Sequence, residues 1–375
     1  MAWGGTPSDP TQLRWMKQAG FNISGFCSAS QLEKVDAAGL TCFVSDPRAN
    51  GYTWERMPSQ QELRKNLTAL VRDVQTRPAA LGFFLRDEPN AIQMPGLGEV
   101  SSVLRQIMPS RWTYVNLLPN YTSPAELRVP TYQAYVQKLI DEVHPSFLSY
   151  DNYSLFNGKM MGRFYTNLGT VRRLSMKAGI PFWNVILSTA CFTYMNPSGA
   201  TLRLQAYSTI AYGGRGIEYF TYFATPVGNY RLAPIDQFGH RTPTWNMLRR
   251  LNSQIRELAP WLARLHSTGV YHSAPVIAGE DPLSQSRLVQ EVLASTYQNP
   301  SVQPRYLIGE FRDDDGHPFL MIVNKSLGYS MSYLIHLKLP KRRLVQISPY
   351  TGQAEPPNEG SKWLAPGAGA LFEIE

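Results

Sequence analysis

The sequence predicts an α/β fold, a (β/α)8 TIM barrel followed by a C-terminal antiparallel β-sandwich domain. Short apolar runs of strand length alternate with helical patterns eight times over roughly the first 265 residues, which is the order of elements in such a barrel. Beyond about residue 268 the pattern changes to short extended runs separated by turns. The chain of 375 residues is long enough for both parts. We therefore expect a barrel in residues 1–267 and a β-sandwich domain in residues 268–375.

The barrel is predicted to begin with a short strand around Trp3, and each later strand follows a helical pattern. Ser30 is the predicted N-cap of the second helix. Within residues 60–75, apolar side chains recur at the spacing of one helix face: Leu63, Leu67, Leu70, Val71 and Val74. The predicted helices are 10–20, 30–39, 60–75, 97–108, 132–143, 166–178, 201–212 and 244–265. The predicted strands after Trp3 are 21–26, 40–44, 81–88, 112–118, 147–151, 182–187 and 216–222.

The C-terminal part contains extended runs without helical periodicity. Turn-rich segments such as 313–316 and 365–367 separate them, which favours a small antiparallel sandwich. The predicted strands are 306–309, 319–324, 333–337, 345–347 and 370–374.

Composition and charge narrow the function classes. Hydrophobic residues make up 43% of the chain, charged residues only 17% and aromatic residues 12%, a balance that suits a cleft lined with rings. The net charge is +8, but the basic residues are scattered and form only short clusters such as 341–343, so we expect no nucleic-acid partner. No run of about 18 apolar residues is present, so we expect no membrane span.

The three cysteines, Cys27, Cys42 and Cys191, lack metal-ligand spacing and are not even in number, which predicts buried free thiols. Residues 1–5 have the pattern of the last residues of a strand. We therefore expect an exported protein, periplasmic or secreted, whose leader is absent from this chain, with the cytoplasm as the alternative.

The stretch from Leu81 to Asn90 is the centre of the predicted site. An apolar run of strand length ends abruptly in Asp87, Glu88 and Pro89. Because proline biases the residue before it towards an extended conformation, we expect Glu88 to be extended, with its carboxylate facing the barrel mouth. Adjacent acids are costly to leave without partners, so this pair indicates a functional site.

Active sites of TIM barrels lie at the carboxyl ends of the strands, so the residues that follow each apolar run are candidates. The predicted catalytic residues are Glu88, Asp151 and Asp87. The predicted substrate-binding residues are Trp3, Asp46, Arg86, Asn116, Asn120, Tyr121, Tyr153, Asn184, Tyr219 and Tyr222.

Hydrolysis of a glycosidic bond needs one carboxylic acid to protonate the leaving oxygen and a second carboxylate as base or nucleophile. Glu88 is the predicted acid, because Asp87 and apolar walls would raise its pKa; the alternative is a structural pair with Arg86. Asp151 is the predicted second carboxylate, with an anchor for a ligand hydroxyl or a loop cap as alternatives. Glu218 lies early in its strand, which favours structural pairing.

No metal or organic cofactor is predicted. The six histidines avoid the predicted strand ends, which disfavours a metal-dependent hydrolase. Residues 213–216 precede a strand instead of linking a strand to a helix, which makes them a poor phosphate-binding loop.

Several motifs resemble those of glycoside hydrolases. Arg86-Asp87-Glu88-Pro89 resembles the Asn-Glu-Pro motif of clan A, whose Glu is the acid/base. Residues 211–222, Ala-Tyr-Gly-Gly-Arg-Gly-Ile-Glu-Tyr-Phe-Thr-Tyr, and residues 364–372, Leu-Ala-Pro-Gly-Ala-Gly-Ala-Leu-Phe, are similar to the last barrel strand and the C-terminal end of family 42-type enzymes. The resemblance implies that Glu88 is the acid/base. Asp87 departs from the clan's Asn, and the seventh strand, 182–187, has no Glu at the place of the nucleophile.

The expected function is therefore that of a glycosidase acting on an oligo- or polysaccharide. A carbohydrate-binding barrel without catalysis and a metal-dependent hydrolase or lyase using Asp87, Glu88 and Asp151 remain as alternatives. Glu88 and Asp151 are predicted on strands separated by one strand, which places the two backbones about 9 to 10 Å apart. That spacing predicts carboxyl groups nearer the roughly 6.5 to 9.5 Å of an inverting pair than the roughly 5 Å of a retaining pair.

Overall fold

The computed structural model describes residues 1–294, 302–355 and 362–375. The chain divides into two compact units. The first contains residues 1–152, 170–185 and 216–222, and the second contains residues 153–169, 186–215 and 223–375.

The first unit is built on a parallel sheet of seven strands, which confirms the predicted barrel architecture. The order in the sheet is β1-β2-β3-β4-β5-β8-β9. Its strands are β1 (Ile23–Cys27), β2 (Thr41–Val44), β3 (Ala80–Asp87), β4 (Trp112–Leu117), β5 (Leu148–Asp151), β8 (Phe182–Leu187) and β9 (Gly216–Phe220). A short hairpin between β5 and β8 supplies β6 (Leu155–Phe156) and β7 (Lys159–Met160).

Residues 1–6 take the place of the eighth strand that the sequence predicts around Trp3. Ala2 forms a parallel bridge with Tyr219 in β9, and Gly5 forms one with Phe26 in β1, so this segment joins the two edge strands. Gly25 makes the close approach possible. A Cβ atom there would collide with the carbonyl oxygen of Gly4, and the φ of Gly25 is +107°.

The eight predicted helices are present to within a few residues. The helices are α1 (Pro10–Gln18), α2 (Leu32–Ala37), α3 (Pro47–Asn50), α4 (Gln60–Val74), α5 (Met94–Ile107), α6 (Pro124–Leu127), α7 (Tyr132–Val143), α8 (Arg163–Ala178), α9 (Gly199–Ala211) and α10 (Pro243–Leu262). The two short helices α3 and α6 were not predicted. The predicted apolar face of α4 is buried, and Ser59 caps its first turn. The prediction of Ser30 as an N-cap is wrong, because Ser28 caps a 3₁₀ turn over Ala29–Gln31 before α2. None of the helices in the described part of the chain is long and apolar enough to cross a bilayer.

A disulfide bond joins Cys27 and Cys42, which corrects the prediction that all three cysteines are free. The two residues lie on the neighbouring strands β1 and β2, and their Cα atoms are 6.1 Å apart. Cys191 is a buried free thiol, as predicted.

The C-terminal part contains two antiparallel sheets, which confirms the predicted sandwich. One has the order β10-β12-β13-β17-β15 and the other the order β11-β14-β16. Apolar side chains from both sheets form one core that includes Val289, Ile308, Ile322, Tyr333 and Phe372. The strands are β10 (His266–His272), β11 (Val289–Leu293), β12 (Tyr306–Arg312), β13 (Pro318–Asn324), β14 (Met331–Leu337), β15 (Leu344–Ile347), β16 (Lys362–Leu364) and β17 (Gly369–Ile374).

Candidate active site

The carboxyl ends of β3, β4 and β5 bring the predicted catalytic residues together. These three strands are neighbours in the sheet, and Asp87, Asn116 and Ser149 are paired in register across them. Glu88 follows directly after β3, and Asp151 is the last residue of β5. Parallel strands end at one edge of a sheet, so their polar side chains meet there.

Glu88 does not have the extended backbone predicted from Pro89. Its φ is +48°, in the left-handed region that non-glycine residues rarely occupy. The Glu88 amide donates to the carbonyl oxygen of Asn116 at 2.9 Å, so pairing with β4 continues past the end of β3. Such strained backbone is often found at functional sites.

The Asn116 side chain links two of the carboxylates. Its Nδ2 donates to Asp87 Oδ1 at 3.2 Å and to Asp151 Oδ1 at 3.1 Å. Its Oδ1 accepts a hydrogen bond from Ser149 Oγ at 2.9 Å. The Asn116 amide therefore uses both its nitrogen and its oxygen within the protein. The sequence predicted that Asn116 would bind the substrate, whereas in the structure its side chain orients the carboxylates.

Glu88 and Asp151 affect each other's protonation. Burial and the nearby charge of Asp87 raise the pKa of Glu88 to about 7, against a hydrogen bond with Asp151 that lowers it. Burial and the charges of Glu88 and Asp87 also hold the pKa of Asp151 well above its usual range. Two neighbouring carboxyl groups cannot both be ionised cheaply, so each raises the pKa of the other.

This contact overturns the predicted separation of the two carboxyl groups. Side chains that hydrogen-bond to each other are closer together than the carboxyl groups of an inverting pair. The prediction took the distance between the backbones of β3 and β5 as its guide. The left-handed turn at Glu88 and the hydrogen bond from Asn116 to Asp151 coincide with this shorter separation.

Asp87 is the third carboxylate of the site. Burial raises its pKa, while the hydrogen bond from Asn116 and the charge of Arg86 lower it. Asp87 and Glu88 are both exposed on one side, so water screens part of these effects. The pKa of Glu88 is still raised, because burial and the negative charge of Asp87 both disfavour its ionised form. No ion pair joins Arg86 to Glu88 in the part of the chain that is described.

A buried hydrogen-bond network lies next to these carboxylates in the barrel interior. Glu218 in β9 is 0% exposed, and its two carboxyl oxygens contact Tyr114 Oη at 2.6 Å and Ser149 Oγ at 2.9 Å. Burial raises the pKa of Glu218 above its ordinary value. The predicted structural pairing of Glu218 therefore agrees with the contacts.

Two aromatic residues predicted to contact a sugar, Tyr219 and Tyr222, belong instead to the packed interior, and a third, Trp3, is half-buried. Tyr219 and Tyr222 are 2% and 0% exposed, and both rings pack edge-on against Phe21. Trp3 makes edge contacts with Phe26, Phe84 and Tyr114. The side chains of Tyr219 and Tyr222 lie in the interior because successive residues of a strand point to opposite faces of the sheet. The position of a residue at a strand end does not identify the face to which it points.

The other predicted binding residues have varied surroundings. The Arg48 guanidinium binds both oxygens of Asp46, which also caps α3. Arg86 is exposed and Asn184 is fully buried in β8. Asn120 accepts a hydrogen bond from Asn152 at 3.1 Å, and Tyr121 is 39% exposed. Tyr153 lies in the second unit, where its ring contacts Tyr194.

Asp87, Glu88 and Asp151 do not form a compact set of metal ligands. Among the described residues, the group of three whose ligand atoms lie within 4.8 Å of one another is Asp313, Asp315 and His317. Asp313 accepts hydrogen bonds from the backbone of Asp315 and His317, which is the pattern of a turn.

Sequence reasoning missed the roles of Tyr114 and Ser149. A usable signal was present, because side chains two residues apart on a strand share a face. Tyr114 therefore shares a face with Asn116, and Ser149 shares one with Asp151.

No family model matches the chain, and no curated protein is similar to it in sequence. Several solved structures have a similar fold. A family 5 glycoside hydrolase from Bacteroides vulgatus aligns over 100% of this chain and 89% of its own, with a TM-score of 0.56 and 10% identity. The cold-adapted β-galactosidase from Rahnella sp. R3 aligns over 72% of this chain, with a TM-score of 0.54 and 13% identity. The β-galactosidase from Halorubrum lacusprofundi aligns over 69%, with a TM-score of 0.51 and 11% identity.

The comparison shows a fold shared with glycoside hydrolases. This chain spans 57% of the Rahnella enzyme and 58% of the Halorubrum enzyme. At such identities the likeness concerns the fold, and activity must be argued from the site itself.

Proposed function

We propose that this protein is a glycoside hydrolase that cleaves O-glycosidic bonds of an oligo- or polysaccharide. Glu88 acts as the general acid and Asp151 is the second carboxylate. The observation that supports the proposal is the grouping of Glu88, Asp87 and Asp151 at the carboxyl ends of β3 and β5, where Asn116 donates hydrogen bonds to Asp87 and Asp151. Glycosidases need one protonated and one ionised carboxyl group, and such a pair provides both.

Exposure and charge assign the roles within the pair. Glu88 is exposed, so it can reach the leaving oxygen of a bound substrate, whereas Asp151 is 6% exposed and held by Asn116. The charge of Asp87 disfavours ionisation of Glu88 and so keeps a proton on the acid near neutral pH. Glu88 gives that proton to the leaving oxygen as the glycosidic bond breaks, and the Asp151 carboxylate forms a bond to the anomeric carbon. Water, deprotonated by Glu88, then displaces Asp151 from the anomeric carbon and releases the sugar.

The resemblance to clan A, and within it to family 42-type barrels, belongs to this proposal. It rests on the Arg86-Asp87-Glu88-Pro89 motif and on residues 211–222. In clan A the nucleophile is on the seventh strand, which here is β8 and carries Asn184 without an acid. Asp151 in the adjacent strand β5 would take over the second carboxylate role.

The test is a screen of aryl glycosides and plant or bacterial polysaccharides with the wild type and Glu88→Gln. We expect hydrolysis of at least one substrate by the wild type, and a loss of activity in the variant that is largest for poor leaving groups. An exposed acid on α2, Glu33→Gln, is the matched control. Equal turnover of a poor leaving group by wild type and Glu88→Gln would contradict the proposal.

A carbohydrate-binding protein without catalysis is the second candidate, favoured by the missing acid on β8. It predicts glycan binding by the wild type with no released sugar, even after long incubation. For the metal-dependent alternative, activity that chelators abolish and divalent ions restore would be the distinguishing result.

We also propose that the protein functions in an oxidising compartment, as an exported enzyme would. The Cys27–Cys42 disulfide supports this, because such bonds persist mainly in extracellular and periplasmic proteins. A thiol assay on protein isolated from its native host, with and without reduction, tests it.

A further inference from the structure

The network of Tyr114, Ser149, Asn116 and Glu218 contains more short contacts than its hydroxyl protons can serve. Tyr114 Oη lies 2.6 Å from Glu218 Oε2. Ser149 Oγ lies 2.9 Å from both Asn116 Oδ1 and Glu218 Oε1. Tyr114 Oη also lies 3.1 Å from Ser149 Oγ, a longer contact in which either hydroxyl can be the donor. Each of the three shorter contacts joins two oxygen atoms, so each needs one proton. The two hydroxyl groups supply only two.

The orientation of the Asn116 amide limits how the protons can be distributed among these contacts. Its Nδ2 faces carboxylate oxygens of Asp87 and Asp151, at 3.2 and 3.1 Å, and donates one hydrogen to each. Its Oδ1 must therefore face Ser149 and needs the Ser149 proton. The remaining contact, between Ser149 Oγ and Glu218 Oε1, then lacks a proton if Glu218 is ionised. Two buried oxygen lone pairs would face each other at 2.9 Å, which is costly.

We propose that Glu218 carries the third proton and, in this form, is a positioning residue that fixes the Asn116 amide towards Asp87 and Asp151. The protonated carboxyl group completes the chain Glu218 to Ser149 to Asn116, while Tyr114 donates to the other oxygen of Glu218. With the three shorter contacts filled, the Ser149 hydroxyl points to Asn116 Oδ1 and its oxygen accepts from Glu218. The Asn116 amide then cannot rotate to place its oxygen against the carboxylates.

The charges around Glu218 are compatible with a proton on it. The carboxylate of Asp87 favours the protonated form, while Tyr114, Ser149 and the amino group of Met1 favour the ionised form. Burial outweighs these opposing effects and raises the pKa of Glu218. Burial also lowers the pKa of the Met1 amino group to about 6, so that group is mostly neutral at pH 7.

The role assigned to the carboxylates rests on the proposed function, but the protonation of Glu218 does not. Loss of the hydrogen bond from Ser149 would allow the Asn116 amide to rotate. The Asp151 carboxylate would then lose the hydrogen bond that Asn116 Nδ2 donates to it. The proton would then bind the Glu88–Asp151 pair more tightly. In a working glycosidase we expect about a tenfold loss of kcat/KM from the loss of one such hydrogen bond in the transition state.

Glu218→Gln and Ser149→Ala test the inference in opposite directions. Glutamine copies a protonated glutamate, because its amide donates to Ser149 and its carbonyl accepts from Tyr114. We expect Glu218→Gln to keep the titration of the Glu88–Asp151 pair, followed by carboxyl ¹³C NMR, and to remove one protonated-carboxyl C=O band from the infrared spectrum at pH 7. We expect Ser149→Ala to move the titration of the pair upwards.

Ser24→Ala is the matched control, because Ser24 is also a buried serine of the barrel and its hydroxyl bonds Thr6. Neither NMR nor infrared spectroscopy needs a substrate, so an inactive protein would refute the proposed function without touching this inference. If Glu218→Gln removes no protonated-carboxyl band, or shifts the titration of the pair as much as Ser149→Ala does, the inference is wrong. Should Ser149→Ala fail to fold, the two measurements on Glu218→Gln decide alone.

Discussion

Replacing Asp87 by Asn isolates the charge that holds a proton on Glu88. The two carboxylates belong to neighbouring residues, and both are exposed. Charges about 7 Å apart at an effective dielectric constant of about 40 interact by about 1.2 kcal/mol, which corresponds to nearly one pKa unit. Asn keeps an oxygen that can accept the hydrogen bond from Asn116, so the geometry should persist.

The expected result is a shift of the alkaline limb of kcat/KM from about pH 7 to about pH 6. The protonated fraction of a group with pKa 7 is about one half at pH 7, and it falls to about one tenth when the pKa is 6. Activity should therefore drop about fivefold at pH 7 and hardly change at pH 5. Asp36→Asn, which removes an exposed acid from α2, is the control for the charge change. A limb that stays in place, or moves to higher pH, would show that Asp87 does not act on this proton.

The remaining predictions concern the acid, the disulfide and the stereochemistry. Glu88→Gln should lose most activity while its Tm stays within a few degrees of the wild type, because Glu88 is exposed and forms no core contact; a large fall in Tm would assign it a structural role. Cys27→Ser should lower the free energy of unfolding by about 3 kcal/mol, since the bond closes a loop of about 15 residues, and denaturant unfolding with Cys191→Ser as the control measures this. The first-formed product should retain its anomeric configuration, because a close Glu88–Asp151 pair with Asp151 as nucleophile is nearer the roughly 5 Å of a retaining pair than the roughly 6.5 to 9.5 Å of an inverting pair; proton NMR that finds the inverted anomer first would contradict this.

The barrel could be predicted because its signals are local. In α4 the apolar side chains recur with the helical period, and β8 is an apolar run interrupted by Asn184. The strands β10, β11 and β16 were missed. Residues 289–293 and 362–364 are short and mix polar with apolar side chains, so antiparallel pairing with β14 defines them more than their own composition does. The disulfide was missed for the same reason, since it depends on β1 and β2 lying side by side.

The site could be predicted in part. Glu88, Asp87, Asn116 and Asp151 were found because polar residues that follow an apolar run mark the strand ends of a barrel. The conformation of Glu88 could not be found in this way. Pro89 favours an extended residue before it, but the hydrogen bond from the Glu88 amide to Asn116 outweighs that local preference.

The candidate site lies on three consecutive strands, and this placement explains how the proposed mechanism can operate without a carboxylate on β8. Asn116 is the central element, because β4 lies between β3 and β5 and its amide reaches a carboxylate on each side. One side chain therefore holds two of the three carboxylates, Asp87 and Asp151, while the left-handed turn places Glu88 against Asp151. An acid from β8 is unnecessary in this arrangement, since β5 is the neighbour of β8 and already supplies Asp151. In the proposed mechanism the chemistry depends on the direction in which the Asn116 amide points, and Asn116 is linked through Ser149 to Glu218 in the barrel interior.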